Sequence, residues 1–589
     1  MKTTTFAKIA LTGVLILVCT PDIAKGQPAK EPSRKEALII SSGTHDGKGE
    51  VGTEPRLAFK GVARVFNAPW LRLYFGNSEL GHASFLKITS LEDRAYQYLN
   101  SVSLKQWQNS SAFFNGDGVE VELYIAPEDK GIFFEIKEVV VGERPANLGK
   151  INETSQAAGD PCDPIVWCGI CGNTDDRVPS NDRAILRMTR IRAAYGDTVE
   201  QCTGWIASNG AYLAAGHCFR DTDVRILEFN VPKSDPDGTI NFPHPNDQYT
   251  IDATSVVRED LGVGRDWAIF KCYPNSNTGL LPVQAQDAFY RLSLDSTPPT
   301  FHLTGYGRDE CPPGTNPQTQ RNSDNATQQT DTGPNNNPPT YGDIGSGNYV
   351  YWTYCIDHRT GNSGGPVIPE GTNLSVGIVS HCIPIAATSF DCDALENAIN
   401  VFPGSNIVYA DNGHSFATGA GTVFRPYNTV AGAVNAVPAG GIVSIVKGSY
   451  NESMTINKAM TITAPVGNVT IGPSGPPKIA ESSFDPYEKG RQNESVPTEY
   501  SLSQNYPNPF NPETTIEYTL PKPSFVKLEI YDMLGQEVRT LVSKFQQAGV
   551  KSVVWDGKNN QGQLVPSGLY IYRIVADGFA QSSKSVLLK

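Results

Sequence analysis

The sequence predicts an all-β protein built from several domains. Its 589 residues exceed the size of an ordinary single domain, which holds roughly 100–150 residues. The chain contains 55 glycines and 42 prolines, which favour turns and interrupt long helices. Several short segments alternate apolar and polar side chains or are rich in β-branched residues, the pattern of short strands. These observations favour sheets over helical bundles.

The first 26 residues have the composition of a secretory signal peptide. Lys2 and Lys8 precede an almost uninterrupted apolar run over residues 9–18, which is too short to span a bilayer. Cys19 follows this run, so a lipoprotein signal is the alternative. No later segment is apolar enough to predict a transmembrane helix. We therefore expect an exported chain.

The net charge limits the classes of binding partner, and the cysteine content indicates the cellular compartment. The formal net charge is −13 and no long basic stripe is present, which argues against nucleic-acid binding. Removal of the signal peptide leaves an even number of the 11 cysteines, and export favours disulfides. A zinc knuckle at Cys162, Cys168 and Cys171 is the alternative for that cluster.

The glycine-rich loop 361–366 is the most informative segment, because it contains Ser363. A serine in such a loop can expose its hydroxyl and turn backbone N–H groups toward one point. This geometry suits attack on a carbonyl group and stabilisation of the resulting oxyanion. His217 lies upstream after an apolar stretch, and Asp266 lies between them before the apolar residues 267–269. The three segments resemble the signatures of the trypsin/chymotrypsin superfamily in the same chain order.

The resemblance implies a chymotrypsin-like double β-barrel over residues 160–402 and a serine endopeptidase that works through an acyl-enzyme. Ser363 would be the nucleophile, His217 the general base and then general acid, and Asp266 the residue that orients the imidazole. The backbone N–H groups of Gly361 and Ser363 would form the oxyanion hole. The implied partners are protein or peptide substrates, and the chemistry needs neither a metal nor a cofactor.

The same resemblance implies a disulfide between Cys202 and Cys218, which bracket the histidine loop. Cys355 and Cys382 are plausible partners for a second one. Asn362 stands where animal trypsins carry the aspartate that pairs with a new N-terminus, which argues against activation by that ion pair.

Asp357, Ser380 and His381 are the predicted substrate-pocket residues. Asp357 lies six residues before Ser363, the offset at which trypsins place a carboxylate at the base of the pocket. A buried carboxylate there favours substrates with Arg or Lys at the cleaved bond. A preference for Glu would need a basic or hydroxyl-rich pocket, which His358 and His381 could supply.

The regions around the protease segment are predicted from strand patterns. Residues 35–145 predict a β-sandwich, resembling the jelly-roll module before the protease domain of some secreted bacterial trypsin-like enzymes. This module is either a folding or inhibitory pro-region or spacer, or a binding module. Residues 404–475 resemble the first coils of a parallel β-helix, interpreted as a spacer or docking piece, with a carbohydrate-binding module as the alternative. Residues 312–345, rich in Asn, Gln, Thr, Pro and Gly, predict one long surface loop.

A polar linker over residues 476–497 precedes the C-terminal segment 498–589. The motifs at 502–512 and 567–573 closely resemble the type A C-terminal sorting domain of the type IX secretion system, an immunoglobulin-like sandwich. This implies the secretion machinery as a partner, with transfer through the periplasm and outer membrane to the cell surface or the medium. The rival hypothesis is a surface adhesin or carbohydrate-binding protein whose protease-like domain is not catalytic.

Overall fold

The computed structural model describes residues 29–48, 55–144, 175–472 and 499–587, apart from short internal gaps. These gaps are 193–197, 221–224, 263, 295–298, 309–321, 336–339, 344–347, 355, 358–360, 383–384, 391–392, 403, 416–418, 504, 506–513, 523, 533–535, 547–548, 561–562 and 577–578. The predicted signal peptide, the linker 476–497 and the cluster at Cys162 lie outside the described residues. In the described parts of the chain, no helix has both the length and the apolar character needed to cross a bilayer.

The N-terminal region is a β-sandwich, as predicted. Its elements are β1 Ala29–Ser41, β2 Arg56–Arg64, β3 Trp70–Phe75, β4 Phe85–Ser90, β5 Tyr96–Leu99, α1 Ser101–Gln106, β6 Phe114–Asn115, β7 Gly118–Ile125 and β8 Glu135–Gly142. One sheet has the order β1-β8-β3-β6 and the other β2-β7-β4-β5. The alternation in β7 has the expected effect at five positions, because Val119, Val121 and Leu123 are buried while Glu120 and Tyr124 are half-buried. Glu122 differs from the prediction, because it is buried, with its Oε1 3.2 Å from Lys60 Nζ.

A closed six-stranded antiparallel barrel follows. The elements of this region are β9 Val178–Pro179, β10 Ile185–Arg192, β11 Thr198–Ile206, β12 Tyr212–Ala214, β13 Arg225–Glu228, β14 Gln248–Asp260 and β15 Asp266–Cys272. The barrel order is β10-β13-β14-β15-β12-β11, and β11 pairs again with β10 to close it. Apolar side chains from β10, β12 and β15 fill the interior.

A second antiparallel sheet forms the other half of the double-barrel fold. Its region contains α2 Pro282–Gln286, β16 Arg291–Leu292, β17 Thr300–Gly305, β18 Gln329–Pro334, β19 Thr340–Asp343, β20 Asn348–Thr353, β21 Pro366–Pro369, β22 Leu374–Ser375, β23 Gly377–Cys382, β24 Ile385–Ser389 and α3 Asp393–Val401. The sheet order is β19-β20-β24-β23-β21-β17-β18-β9.

The prediction of one long loop over residues 312–345 is wrong, because β18 and β19 lie within it. β18 has little apolar character, and it is a strand because its backbone pairs with all six residues of β17. Main-chain hydrogen bonding to β17 therefore outweighs the turn-forming composition of β18.

The next segment forms short parallel strands, as the β-helix resemblance implies. They are β25 Ile407–Ala410, β26 Ile442–Ile445, β27 Gly448–Tyr450, β28 Thr461–Thr463 and β29 Val469–Ile471, with α4 Val430–Ala436 between β25 and β26. This segment packs on the region that contains the two preceding sheets. Asp411 accepts two hydrogen bonds from Arg291, at 2.7 and 3.1 Å, and Val446 joins the core of the first barrel.

The C-terminal region is an immunoglobulin-like sandwich. Its strands are β30 Ser501–Leu502, β31 Thr514–Leu520, β32 Ser524–Tyr531, β33 Glu537–Gln546, β34 Gly549–Trp555, β35 Gly568–Ala576 and β36 Phe579–Leu587. Sheets β30-β31-β34 and β33-β32-β35-β36 enclose one core that contains the buried rings of Trp555 and Tyr572.

Candidate active site

Strand pairing within the first barrel brings the histidine turn to the start of β15. A 3-10 turn, Gly216–Phe219, follows β12 and contains His217. β12 pairs with β15, with Ala214 opposite Ala268, and Asp266 is the first residue of β15. The apolar residues after Asp266 are buried, as the sequence predicts, and they fix the start of the strand.

His217 and Asp266 make two direct contacts. Asp266 Oδ2 lies 2.7 Å from His217 Nδ1, and Asp266 Oδ1 accepts the backbone N–H of His217 at 2.8 Å. Both side chains are buried. Because an ionised carboxylate only accepts hydrogen bonds, Nδ1 carries the proton and Nε2 is left as the basic nitrogen. Nε2 has no hydrogen-bond partner among the described residues.

The histidine turn runs so close to β14 that only glycine fits before His217. A Cβ atom at Gly216 would lie 1.7 Å from the carbonyl oxygen of Glu259. Backbone atoms cannot move aside as a flexible side chain can. Gly216 therefore lets the turn approach β14 and hold the imidazole next to Asp266.

Thr203 anchors the loop that contains Ser363. Its backbone N–H donates to the carbonyl oxygen of Ser363 at 2.9 Å, and its hydroxyl donates to the carbonyl oxygen of Gly361 at 2.8 Å. The same hydroxyl accepts the backbone N–H of Tyr306 at 2.9 Å. Thr203 is fully buried on β11, so water does not compete for these hydrogen bonds.

The glycines of the serine loop are required by backbone geometry. Gly361 and Gly364 have φ values of 103° and 97°, in the region that favours glycine. A Cβ at Gly364 would also lie 2.1 Å from the carbonyl oxygen of Thr203. In the part of the chain that the structure describes, the N–H groups of Gly361 and Ser363 donate to no other group. Their role as oxyanion donors stays a prediction.

Sequence reasoning missed the role of Thr203, although the neighbouring Cys202 was predicted to form a disulfide. A threonine in a buried strand is ordinarily interpreted as a packing residue. Only its contacts with Gly361, Ser363 and Tyr306 distinguish it, and these residues are distant in sequence.

The disulfide between Cys202 and Cys218 is present, with an S–S distance of 1.98 Å. It joins β11 to the histidine turn. His217 lies near both sulfur atoms, but thiols joined in a disulfide cannot ligate a metal as thiolates. Cys272 is a free, buried cysteine, and burial raises the pKa of its thiol to about 12, so it is a poor nucleophile.

Asp357 is buried and already bonded to the protein backbone. Its Oδ2 accepts the N–H of Asp176 at 2.6 Å, and its own N–H donates to Asp331 Oδ2 at 2.7 Å. Ser380 is buried in β23. Its neighbour His381 lies in the same strand.

The side chains of His381 and Cys382 lie outside the described residues, as do Cys355 and His358. Both the specificity assignment and the Cys355–Cys382 pairing remain predictions.

Asn362 occupies the position before the serine. Its side chain is buried against Gly305, where an added Cβ would lie 3.2 Å from its Oδ1. Among the described residues, Oδ1 has no hydrogen-bond partner.

A comparison with protein-family models agrees with this architecture. Residues 182–391 match the trypsin family model. This segment is a trypsin-like serine protease domain. A similar solved structure is the thermostable serine protease AL20 from an extremophilic microorganism, with 14% identity and a TM-score of 0.26 over 36% of this chain and 91% of that chain. Protease Anisep from Arthrobacter nicotinovorans is similar at 12% identity and a TM-score of 0.24, over 36% of this chain and 90% of that chain.

The C-terminal region has its own match. Residues 511–578 match the FlgD Ig-like domain family, in agreement with the sandwich fold. PorZ, a surface component of the type IX secretion system of Porphyromonas gingivalis, is similar at 18% identity and a TM-score of 0.12, over 15% of this chain and 11% of that chain. No curated protein matches the chain.

Proposed function

We propose that the chain is an exported serine endopeptidase that uses Ser363, His217 and Asp266. The observation that carries the proposal is the pair of contacts from Asp266 to the His217 ring and backbone, which leaves Nε2 as the basic nitrogen. The trypsin family match to residues 182–391 supports the same reaction class.

In this mechanism, His217 Nε2 removes the proton from the Ser363 hydroxyl as its oxygen attacks the substrate carbonyl carbon. Asp266 stabilises the imidazolium that forms. The N–H groups of Gly361 and Ser363 bind the oxyanion, and the loss of one such donor costs about 2.7–4 kcal/mol of transition-state stabilisation.

His217 then donates its proton to the leaving amine, which leaves an acyl group on Ser363. Activation of a water molecule by His217 hydrolyses this ester and restores the serine.

Fluorophosphonate labelling of Ser363→Ala tests the proposal. Wild type should be labelled and should cleave peptides, whereas the variant should do neither and should unfold at the same temperature. Ser375→Ala is a matched control, because Ser375 is also a buried serine of this domain. Labelling that survives in Ser363→Ala would contradict the assignment. A folded wild type that is neither labelled nor active would favour the non-catalytic adhesin hypothesis.

We also propose that residues 498–589 direct export by the type IX secretion machinery and are then removed. The motif resemblance and the sandwich fold support this proposal. Deletion of these residues should leave the protein in the periplasm, and their fusion to a periplasmic reporter should export the reporter. Normal surface or medium levels of the truncated protein would refute it.

A further inference from the structure

The N-terminal module, defined here as residues 29–144, shares a strand with the protease barrel. Ala29–Pro32 of β1 pair with residues 198–201 of β11, and Ser33–Ser41 continue along β8 of the module. One ten-stranded sheet therefore passes from the module into the barrel. Residues 198–201 of β11 extend beyond the part that pairs with β12, residues 204–206, so the module adds a strand where one edge of β11 would otherwise be unpaired.

A buried ion pair joins the same strand to the protease domain. Glu31 Oε1 lies 2.8 Å from Arg308 Nε and accepts a hydrogen bond from Asn325 Nδ2 at 3.1 Å. All three side chains are buried. A substitution that removes either charged group would leave the other one buried without a partner and without access to water, which is strongly destabilising.

The two regions also share one hydrophobic core. Phe242, from the loop before β14, stacks on Phe113 of the module at 4.1 Å between ring centroids and lies edge-to-face against Trp70 at 5.2 Å. Ile226 and Ile240 of the protease domain belong to the same buried cluster. Loss of the module would expose these side chains as a contiguous apolar patch on the barrel.

Reciprocal polar contacts surround this core. The Gln248 side chain accepts the N–H of Phe113 and donates to its carbonyl oxygen, each at 2.9 Å. Asn115 makes the equivalent pair of contacts with the backbone of Phe242. Asn277 bonds the backbone of Tyr96 and Tyr98. Separation of the module would break these hydrogen bonds and replace them by bonds to water, at a net cost of about 0.5–1.5 kcal/mol each.

We infer that the N-terminal module is a permanent part of the folded protein. It stays bound to the protease domain when the connector, residues 145–174, is cut. The strand addition, the Glu31–Arg308 pair and the shared core argue against a pro-region that is released on maturation. A protein cut in this connector is then a complex of two polypeptides.

The test uses the full chain with a site-specific protease sequence inserted in residues 145–174, in a Ser363→Ala background that prevents self-cleavage. The protein is folded first and then cut, so the outcome does not depend on whether either fragment folds alone. We expect both fragments to co-elute in native size-exclusion chromatography and to separate only in denaturant. Separation in native buffer would overturn the inference.

Glu31→Ala and Glu36→Ala provide a matched pair of variants on β1. Glu36 pairs with Arg34 at an exposed site, whereas Glu31 pairs with Arg308 at a buried one. Loss of the buried partner should accelerate dissociation of the cut complex on the order of 100-fold or more, and Glu36→Ala should not change it. Equal dissociation of the two variants would overturn the role assigned to Glu31.

Discussion

The substitution Thr203→Val removes the one hydroxyl group by which β11 bonds to the serine loop, and it preserves side-chain shape. It leaves the carbonyl oxygen of Gly361 and the N–H of Tyr306 without the partner they have at 2.8 and 2.9 Å. Each unsatisfied buried group costs about 1–3 kcal/mol, so the free energy of unfolding should fall by at least about 2 kcal/mol.

The same substitution should reduce turnover, because the bond from Thr203 fixes the orientation of Gly361, whose N–H is a proposed oxyanion donor. If that donor becomes misaligned, kcat should fall by about 10²–10³-fold. KM should change little, since the ground-state carbonyl makes weaker use of the oxyanion hole. Steady-state kinetics on a peptide substrate and denaturant unfolding measure the two effects separately.

Thr203→Ser is the control, because it keeps the hydroxyl and removes only a methyl group. It should retain kcat near the wild-type value. If Thr203→Val keeps wild-type kcat while Ser363→Ala abolishes turnover, the positioning argument is wrong and the catalytic assignment stands. Equal losses in the Val and Ser variants would show that packing, rather than the hydroxyl, is responsible.

Three further changes test other parts of the molecule. Asp266→Asn should lower kcat on the order of 10⁴-fold, because an amide that donates to Nδ1 selects the wrong imidazole tautomer; near-normal kcat would contradict this. Asp357→Ser should lower the ratio of cleavage after Arg to cleavage after Phe in matched peptides, whereas an unchanged ratio would show that Asp357 only holds residue 176. Burial opposes ionisation of Asp129, but hydrogen bonds from residues 82–84 outweigh it and hold the pKa of Asp129 below its usual range. Because a lowered folded-state pKa stabilises the fold above the unfolded-state pKa, Asp129→Ala should lower Tm at neutral pH and lose this effect as the pH falls through the folded-state pKa.

Short sequence motifs were enough to predict much of the candidate site. A serine among glycines and a histidine beside a cysteine form short patterns that can be identified without knowledge of distant residues. The trypsin-like resemblance of these patterns implied the residues that the structure brings together as the His217–Asp266 pair, and it also implied the Cys202–Cys218 disulfide. The alternation of β7 also depends only on neighbours, because successive side chains of a strand point to opposite faces.

Only the tertiary structure decided which distant segments meet. Thr203 is an ordinary strand residue by sequence, and Glu31 lies in a strand whose apolar pattern does not reveal Arg308 as its partner. β18 is a strand because β17 is available to pair with it, against its own composition. In each case the stabilising contact joins segments that are separated in the chain, and the local sequence pattern does not identify the partner.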